Sequence, residues 1–246
     1  MSTWLRLIAV FVVAVLASLL LKGLHPVLVG ALFVGGTVFT YLTLRDRVRR
    51  EARIGDLRAL GFRSETQDPF GLLGYPFALF GRISDAQIAN LLWGPWQGTE
   101  VKMFECSFAT ATVGDPDRER FSCVIAPVGA TCPHLVLEPE IFFPLLGGPV
   151  GLAEIAFEDA PFARVFRVGC DDEAFARALI DGPMGDWLAG LGEGWGFEVS
   201  GALIMVYGPG SAHADLLSVL EPLREFLDRV PLALRTASTD AGPSVS

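Results

Sequence analysis

The apolar positions divide the chain into two unlike parts. Residues 7–21, LIAVFVVAVLASLLL, and 27–44, VLVGALFVGGTVFTYLTL, carry no charge. A helix crosses the hydrocarbon core with about 20 apolar residues, and about 17 suffice. The two runs therefore predict a transmembrane helical hairpin over residues 1–44, turning at KGLHP. Trp4 suits the membrane interface, and Arg6 and Lys22 can extend outward from it. Ala14 and Ser18 on the first helix, and Ala31 and Gly35 on the second, are small residues four apart that let the backbones approach. The apolar run continues past VLAS with no polar cleavage region, which argues against a cleaved signal peptide.

Beyond Leu44 the pattern changes. RDRVRREARIGDLRALG predicts a charged, basic juxtamembrane helix over 45–61, stopped by Gly61. SETQDPFGLLGYP is rich in turn formers, so 62–75 reads as a linker. Residues 76–235 then read as an α+β domain. PFALFGR (76–82), TEVKMFECSFATAT (99–112), RFSCVIAPV (120–128), HLVLEP (134–139), AEIAF and ARVFRVGC (163–170) read as strands, with DPDRER as a polar hairpin turn. In the second of these, Lys102, Phe104, Cys106 and Phe108 alternate with Val101, Met103 and Glu105. EAFARALI (173–180) and PMGDWLAGL read as helices. WGFEVSGALIMVY reads as a final hairpin splitting at Ser200-Gly201. SAHADLLSVLEPLREFLDRV reads as an amphipathic C-terminal helix with Leu216, Leu220, Leu223, Phe226 and Leu227 on its apolar face, kinked or restarted at Pro222. Residues 236–246 bury nothing and read as a disordered tail. The expected architecture is mostly antiparallel strands with helices to one side. The strands and the last helix are also compatible with a pleckstrin-homology-like barrel, although the helix after Cys170 interrupts that pattern.

Charge sharpens the picture. Residues 1–44 carry +2 and residues 45–58 carry +3, so the overall −9 leaves −14 on residues 59–246. Arg45, Arg47, Arg49, Arg50 and Arg53 flank the second run, whereas the connecting loop has only Lys22 and His25. Positive flanks stay in the cytoplasm, which places both termini and the main domain there, in a multi-pass protein of the plasma membrane. The basic belt favours an anionic inner leaflet, and the acidic body is repelled by headgroups and by nucleic acid alike. Nucleic acid is therefore excluded as a partner. The expected partners are the lipid bilayer, through residues 7–44, and an unidentified membrane or cytoplasmic protein.

Few residues suggest chemistry. Asp171, Asp172 and Glu173 precede a helical pattern and read as an N-cap and a first turn matched to the helix dipole, not as an acid–base site. Cys132 and His134 are two apart and so on one face of a strand, with Glu138 and Glu140 on the same face. Cys132, His134 and Glu140 are the best candidates for a nucleophile or a metal, but Cys-x-His alone supplies neither four ligands nor a separately placed base. Ser211, His213 and Asp215 are too close in sequence to converge as a triad. The cysteines, at 106, 123, 132 and 170, lack C-x-x-C spacing and read as reduced core residues. Phe77, Phe80, Trp93 and Trp96 could line an apolar groove, core packing being the plainer reading. No cofactor is expected.

The ordered set PFALFGR, LLWGPWQGTEVKMFECSF, CPHLVLEPE, IAFEDAPFARVFRVGCDDEAFARALID and FEVSGALIMVYGPG resembles a family of uncharacterised actinobacterial membrane-anchored proteins, a domain of unknown function with one or two N-terminal spanning helices. The resemblance covers roughly residues 57–235 and implies no catalytic residues. The expected function is a membrane-anchored interaction or scaffold module, non-catalytic. The alternative is a membrane-tethered enzyme or a domain binding a small ligand or lipid.

Overall fold

The computed structural model describes residues 57–65, 67–109, 118–146, 151–157, 160–210, 216–231 and 234, together with 35–37, 40–41 and 55. The chain forms two units, residues 1–56 and 57–246. In the first, the described residues are helical, and Thr40 Oγ1 donates to Gly36 O at 2.7 Å. No helix among the described residues is long and apolar enough to cross a membrane. Apart from those few helical residues, the expected spanning runs lie outside the described residues. So do Trp4, Arg6, Lys22, Arg45, Arg47, Arg49, Arg50 and Arg53, and residues 236–246.

The second unit is α+β. Its elements are β1 (Arg63–Glu65), α1 (Ala78–Arg82), β2 (Ser84–Trp96), β3 (Thr99–Ala109), β4 (Arg118–Pro139), α2 (Phe143–Leu146), β5 (Ala153–Glu154), β6 (Phe166–Cys170), α3 (Glu173–Ile180), α4 (Pro183–Leu191), β7 (Gly196–Pro209) and α5 (Leu220–Arg229). Every strand pair is antiparallel, in the order β1-β2-β3-β4-β6-β5, with β7 on β4. β2 and β3 meet at a two-residue turn, Gln97-Gly98, with φ of 49° and 83°. Positive φ at both positions gives the turn the twist of the strands it joins.

The long ribbon of β4 and β7 organises the body. β7 follows β4 from Phe121↔Pro209 to Leu137↔Phe197, while β3 and β6 share β4's other edge. The register slips between Pro127 and Cys132 and again between Cys132 and Leu135, opposite the bend at Gly201. The ribbon is folded back on itself there. Were β7 straight, Gly194 and Gly208 would stand roughly 45 Å apart at about 3.3 Å per residue. Instead, a Cβ placed on Gly208 would lie 2.5 Å from Gly194 O.

Both faces of the sheet are buried. One packs Val101, Met103, Val124, Leu137, Phe197 and Val206 against Leu179, Leu188 and Phe226 of α3, α4 and α5. The other packs Phe104, Phe108, Phe121 and Tyr207 against Leu79 of α1 and against Phe142 and Leu146. The alternation along β3 is therefore real, but it separates two apolar faces.

Several expectations need correction. PFALFGR is not a strand; Ala78–Arg82 is helical, and the strand is the next segment, β2. Residues 120–128 and 134–139 belong to one 22-residue strand. WGFEVSGALIMVY is no hairpin, since both of its halves pair with β4. The stretch read as a linker, 62–75, contains β1 and buries Leu72 completely. The restart expected at Pro222 needs no correction: a 3-10 turn over Leu216–Val219 gives way to α5, and Pro222 sits in its first turn, where a missing N–H costs nothing.

The junction at FRVGCDDEAFARAL follows the sequence reading. Asp172 caps α3, its Oδ1 accepting from Phe175 N at 3.1 Å, and Glu173 is exposed and bonds Arg177. Replacing Asp172 with alanine is expected to cost about 1 kcal/mol. A lower thermal midpoint and faster amide exchange in the first turn of α3 would show it.

Candidate functional site: a buried ionic cluster and an aromatic groove

Five polar side chains converge beneath α1. Glu138 on β4 and Glu198 on β7 are 2% and 0% exposed. Glu138 Oε2 accepts from Arg82 Nη1 at 2.9 Å, and its Oε1 accepts from Tyr207 OH at 3.0 Å. Glu198 receives the first backbone N–H groups of α1, from Ala78 and from Leu79, the latter at 3.1 Å. Those groups have no intrahelical partner, and a carboxylate at the positive helix end satisfies them. His134 Nε2 lies 2.7 Å from Glu198 Oε1. Burial and the register slip explain the convergence: after Leu135 the odd-numbered residues of β4 face α3–α5, so His134 and Glu138 face α1.

Each group is shaped by its neighbours. The bond to Glu198 raises His134 above the usual histidine pKa; burial and Arg82 oppose the rise, and the Glu198 and Asp171 charges add to it. Tyr207 is pushed far up by burial and by Glu138, so its hydroxyl stays protonated as a donor. Burial alone would weaken Arg82's hold on its proton, but the bond to Glu138 and the nearby charges more than offset it. Arg82 Nε and Nη2 bond nothing among the described residues. The carboxylates are thus engaged by α1, Arg82, Tyr207 and His134, and only His134, 23% exposed, opens toward solvent.

This arrangement is a pH-sensitive clamp on α1. A histidine whose folded pKa is raised contributes stability that is fully present below its unfolded pKa of about 6.5 and is lost as pH rises through the folded value. Raising the pH from 6 to 8 is expected to lower the thermal midpoint of the wild-type protein more than that of a His134→Gln variant. Equal losses in the two proteins would refute the clamp.

The residues singled out from the sequence go different ways. Cys132 packs on the α3–α5 face and His134 on the α1 face, because the slip between Cys132 and Leu135 defeats the i, i+2 rule. Glu140 lies beyond the strand end and is exposed, bonded to Arg167 at 2.8 Å. Cys132, His134 and Glu140 are not brought together as a nucleophilic or metal-binding set. No group of three or more metal-ligating side chains occurs among the described residues. All four cysteines are buried and unpaired, and burial lifts Cys106 to about 11. Phe77, Phe80 and Trp93 pack on the α1 face and Trp96 on the opposite one, so the four line no common groove. Ser211, His213 and Asp215 lie outside the described residues.

A concave surface lies elsewhere. Trp187 and Leu191 of α4, Trp195, Ser218, and Glu221, Pro222 and Glu225 of α5 line a groove of about 390 Å³ on the α3–α5 side. Trp187 is held edge-on against Phe197 and Phe226, and the Arg229 guanidinium lies 5.2 Å from its ring centre. Arg229 and Arg224 hold the Glu225 carboxyl below the usual range, so it is a fixed anion. Sequence reasoning missed both sites. A lone glutamate inside each of the apolar stretches HLVLEP and WGFEVSGALIMVY was the available signal for the cluster.

No protein-family model matches the sequence, and no curated protein matches it. At the level of fold, the chain is similar to the crystal structure of the mycobacterial trehalose monomycolate transport factor A, TtfA, with a TM-score of 0.54 and 15% identity over 71% of this chain and 91% of that one.

Proposed function

We propose that this protein is a membrane-anchored accessory factor whose α+β body is a non-catalytic interaction module at the cytoplasmic side of the plasma membrane. The observation that carries the reading is the separation of two chemistries. The buried ionisable side chains bond one another and α1 on one face of the sheet, while the concave aromatic surface lies on the other, where Glu225 is already paired with Arg224 and Arg229. A catalytic site needs its acids and bases within reach of a bound substrate. A binding module needs a preformed concave surface on a rigid support, which α4 and α5 provide. Two apolar runs and a basic belt support the membrane anchor. The fold shared with a transport factor is compatible with a membrane-associated accessory role.

The test is crosslinking in intact cells, followed by isolation of the full-length protein from alkali-washed membranes. The expected result is retention in those membranes and a stoichiometric protein partner crosslinked through residues 59–235. Extraction by alkali would remove the anchor from the proposal, and a partnerless preparation would favour a small-ligand or lipid-binding role.

A further inference from the structure

Building on that interaction reading, we infer that the α4–α5 groove docks an apolar, arginine-bearing segment of a partner protein. The floor is apolar and preformed: Pro222 is buried, and Trp187 is held edge-on against the stacked pair Phe197 and Phe226. Trp195 is fixed where it crosses Gly208. Rigid aromatic walls lose little entropy on binding.

Charge selects the occupant. Both arginines beside Glu225 are engaged with it, whereas Glu221 is exposed and makes no ion pair among the described residues. One unneutralised carboxylate therefore stands at the rim of an aromatic groove, on a body carrying −14 over residues 59–246. Arg229 over Trp187 shows that this indole already accommodates a guanidinium. A partner arginine can lie on an indole face and make paired hydrogen bonds to Glu221, a combination a lysine cannot match. An anionic lipid would meet repulsion from the acidic body. A saccharide can also stack on an indole and donate to Glu221, so the identity of the adduct decides between it and an arginine-bearing segment. The acidic body also draws a basic segment in faster than a neutral one.

A photo-crosslinking residue at Ser218 of the full-length chain, in its own membrane, tests this. The expected adduct is a protein whose mapped peptide carries arginine within an apolar sequence. Its yield should fall roughly tenfold with Glu221→Lys, a reversal at the rim, and stay unchanged with Glu65→Lys on β1. Glu221 is exposed, so the fold survives the change. A lysine in the first turn of α5 opposes the helix dipole and lowers the midpoint slightly, and an unchanged circular dichroism spectrum would verify that the fold is kept. An adduct with lipid, with saccharide or with a segment lacking basic residues would overturn the proposal, as would a yield indifferent to Glu221→Lys. If Ser218 gives no adduct while a crosslinker at exposed Leu145 does, the groove is wrong and the interaction reading stands. If neither position captures a protein, both readings fall.

Discussion

Replacing Arg82 with methionine is expected to destabilise the body by about 3–5 kcal/mol, the cost of stranding one partner of a buried ion pair. The side chains of Arg82 and Glu138 are 3% and 2% exposed, so solvent cannot compensate the carboxylate left behind. Tyr207 would still donate a hydrogen bond to it but brings no positive charge. The double replacement Arg82→Met with Glu138→Leu should behave quite differently. Two donors of Arg82 are buried without partners among the described residues, and each such group costs about 1–3 kcal/mol. Removing both charges together relieves that cost, although the buried Tyr207 hydroxyl then loses its acceptor at about 1–3 kcal/mol. The double variant is therefore expected within about 1–3 kcal/mol of wild type. Thermal midpoints of the two single variants and the double variant would measure the coupling. An Arg82→Met protein as stable as wild type would mean that α1 is not held by this pair.

How legible this was depends on how local the causes are. α3 and α4 follow from apolar spacing and from Asp172, whose capping bond spans three residues. α1 is the opposite case. PFALFGR has the composition of a buried strand, and a run that short cannot be assigned by periodicity. It is helical where Glu198, some 120 residues on in sequence, receives its first N–H groups. β2 was hidden for another reason: Asp85 and Asn90 adopt φ of 50° and 52° where its register shifts, and those shifts break the alternation that marks a strand. In β4, Pro127 and Pro133 read as strand ends, yet they fall where the pairing slips and no continuous ladder is needed.

The candidate site was illegible for the same physical reason. Arg82, His134, Glu138, Glu198 and Tyr207 come from α1, β4 and β7, and only His134 and Glu138 are near in sequence. Even that pair was grouped with Cys132, because counting by two assumes an unbroken ladder. Trp93 and Trp96 show a simpler oversight: residues three apart on a strand face opposite ways. The groove needs α4 beside α5, with β7 between them in the chain, and no spacing announces such a neighbour.

Gly208→Ala is the second large effect expected, and it joins the fold to the groove. The added methyl would stand 2.5 Å from Gly194 O and from Trp195 Cε3. Backbone cannot yield as a flexible side chain does, so the folded-back ribbon must open slightly at this point. Overpacking of this kind costs about 1–3 kcal/mol, or a midpoint lower by roughly 2–12 °C in a body of this size. Gly190→Ala in α4 is the internal contrast. Nothing lies within 4 Å of its would-be Cβ, and alanine there should stabilise the helix by about 0.5–1 kcal/mol. The two substitutions add the same atoms and should move the midpoint in opposite directions. Because Trp195 is a wall of the groove, Gly208→Ala should also shift tryptophan emission and weaken capture at Ser218, even at temperatures where the variant stays folded. A folded Gly208→Ala protein with wild-type capture would show that the groove tolerates a displaced Trp195, leaving Trp187 and Glu221 as the contacts that matter.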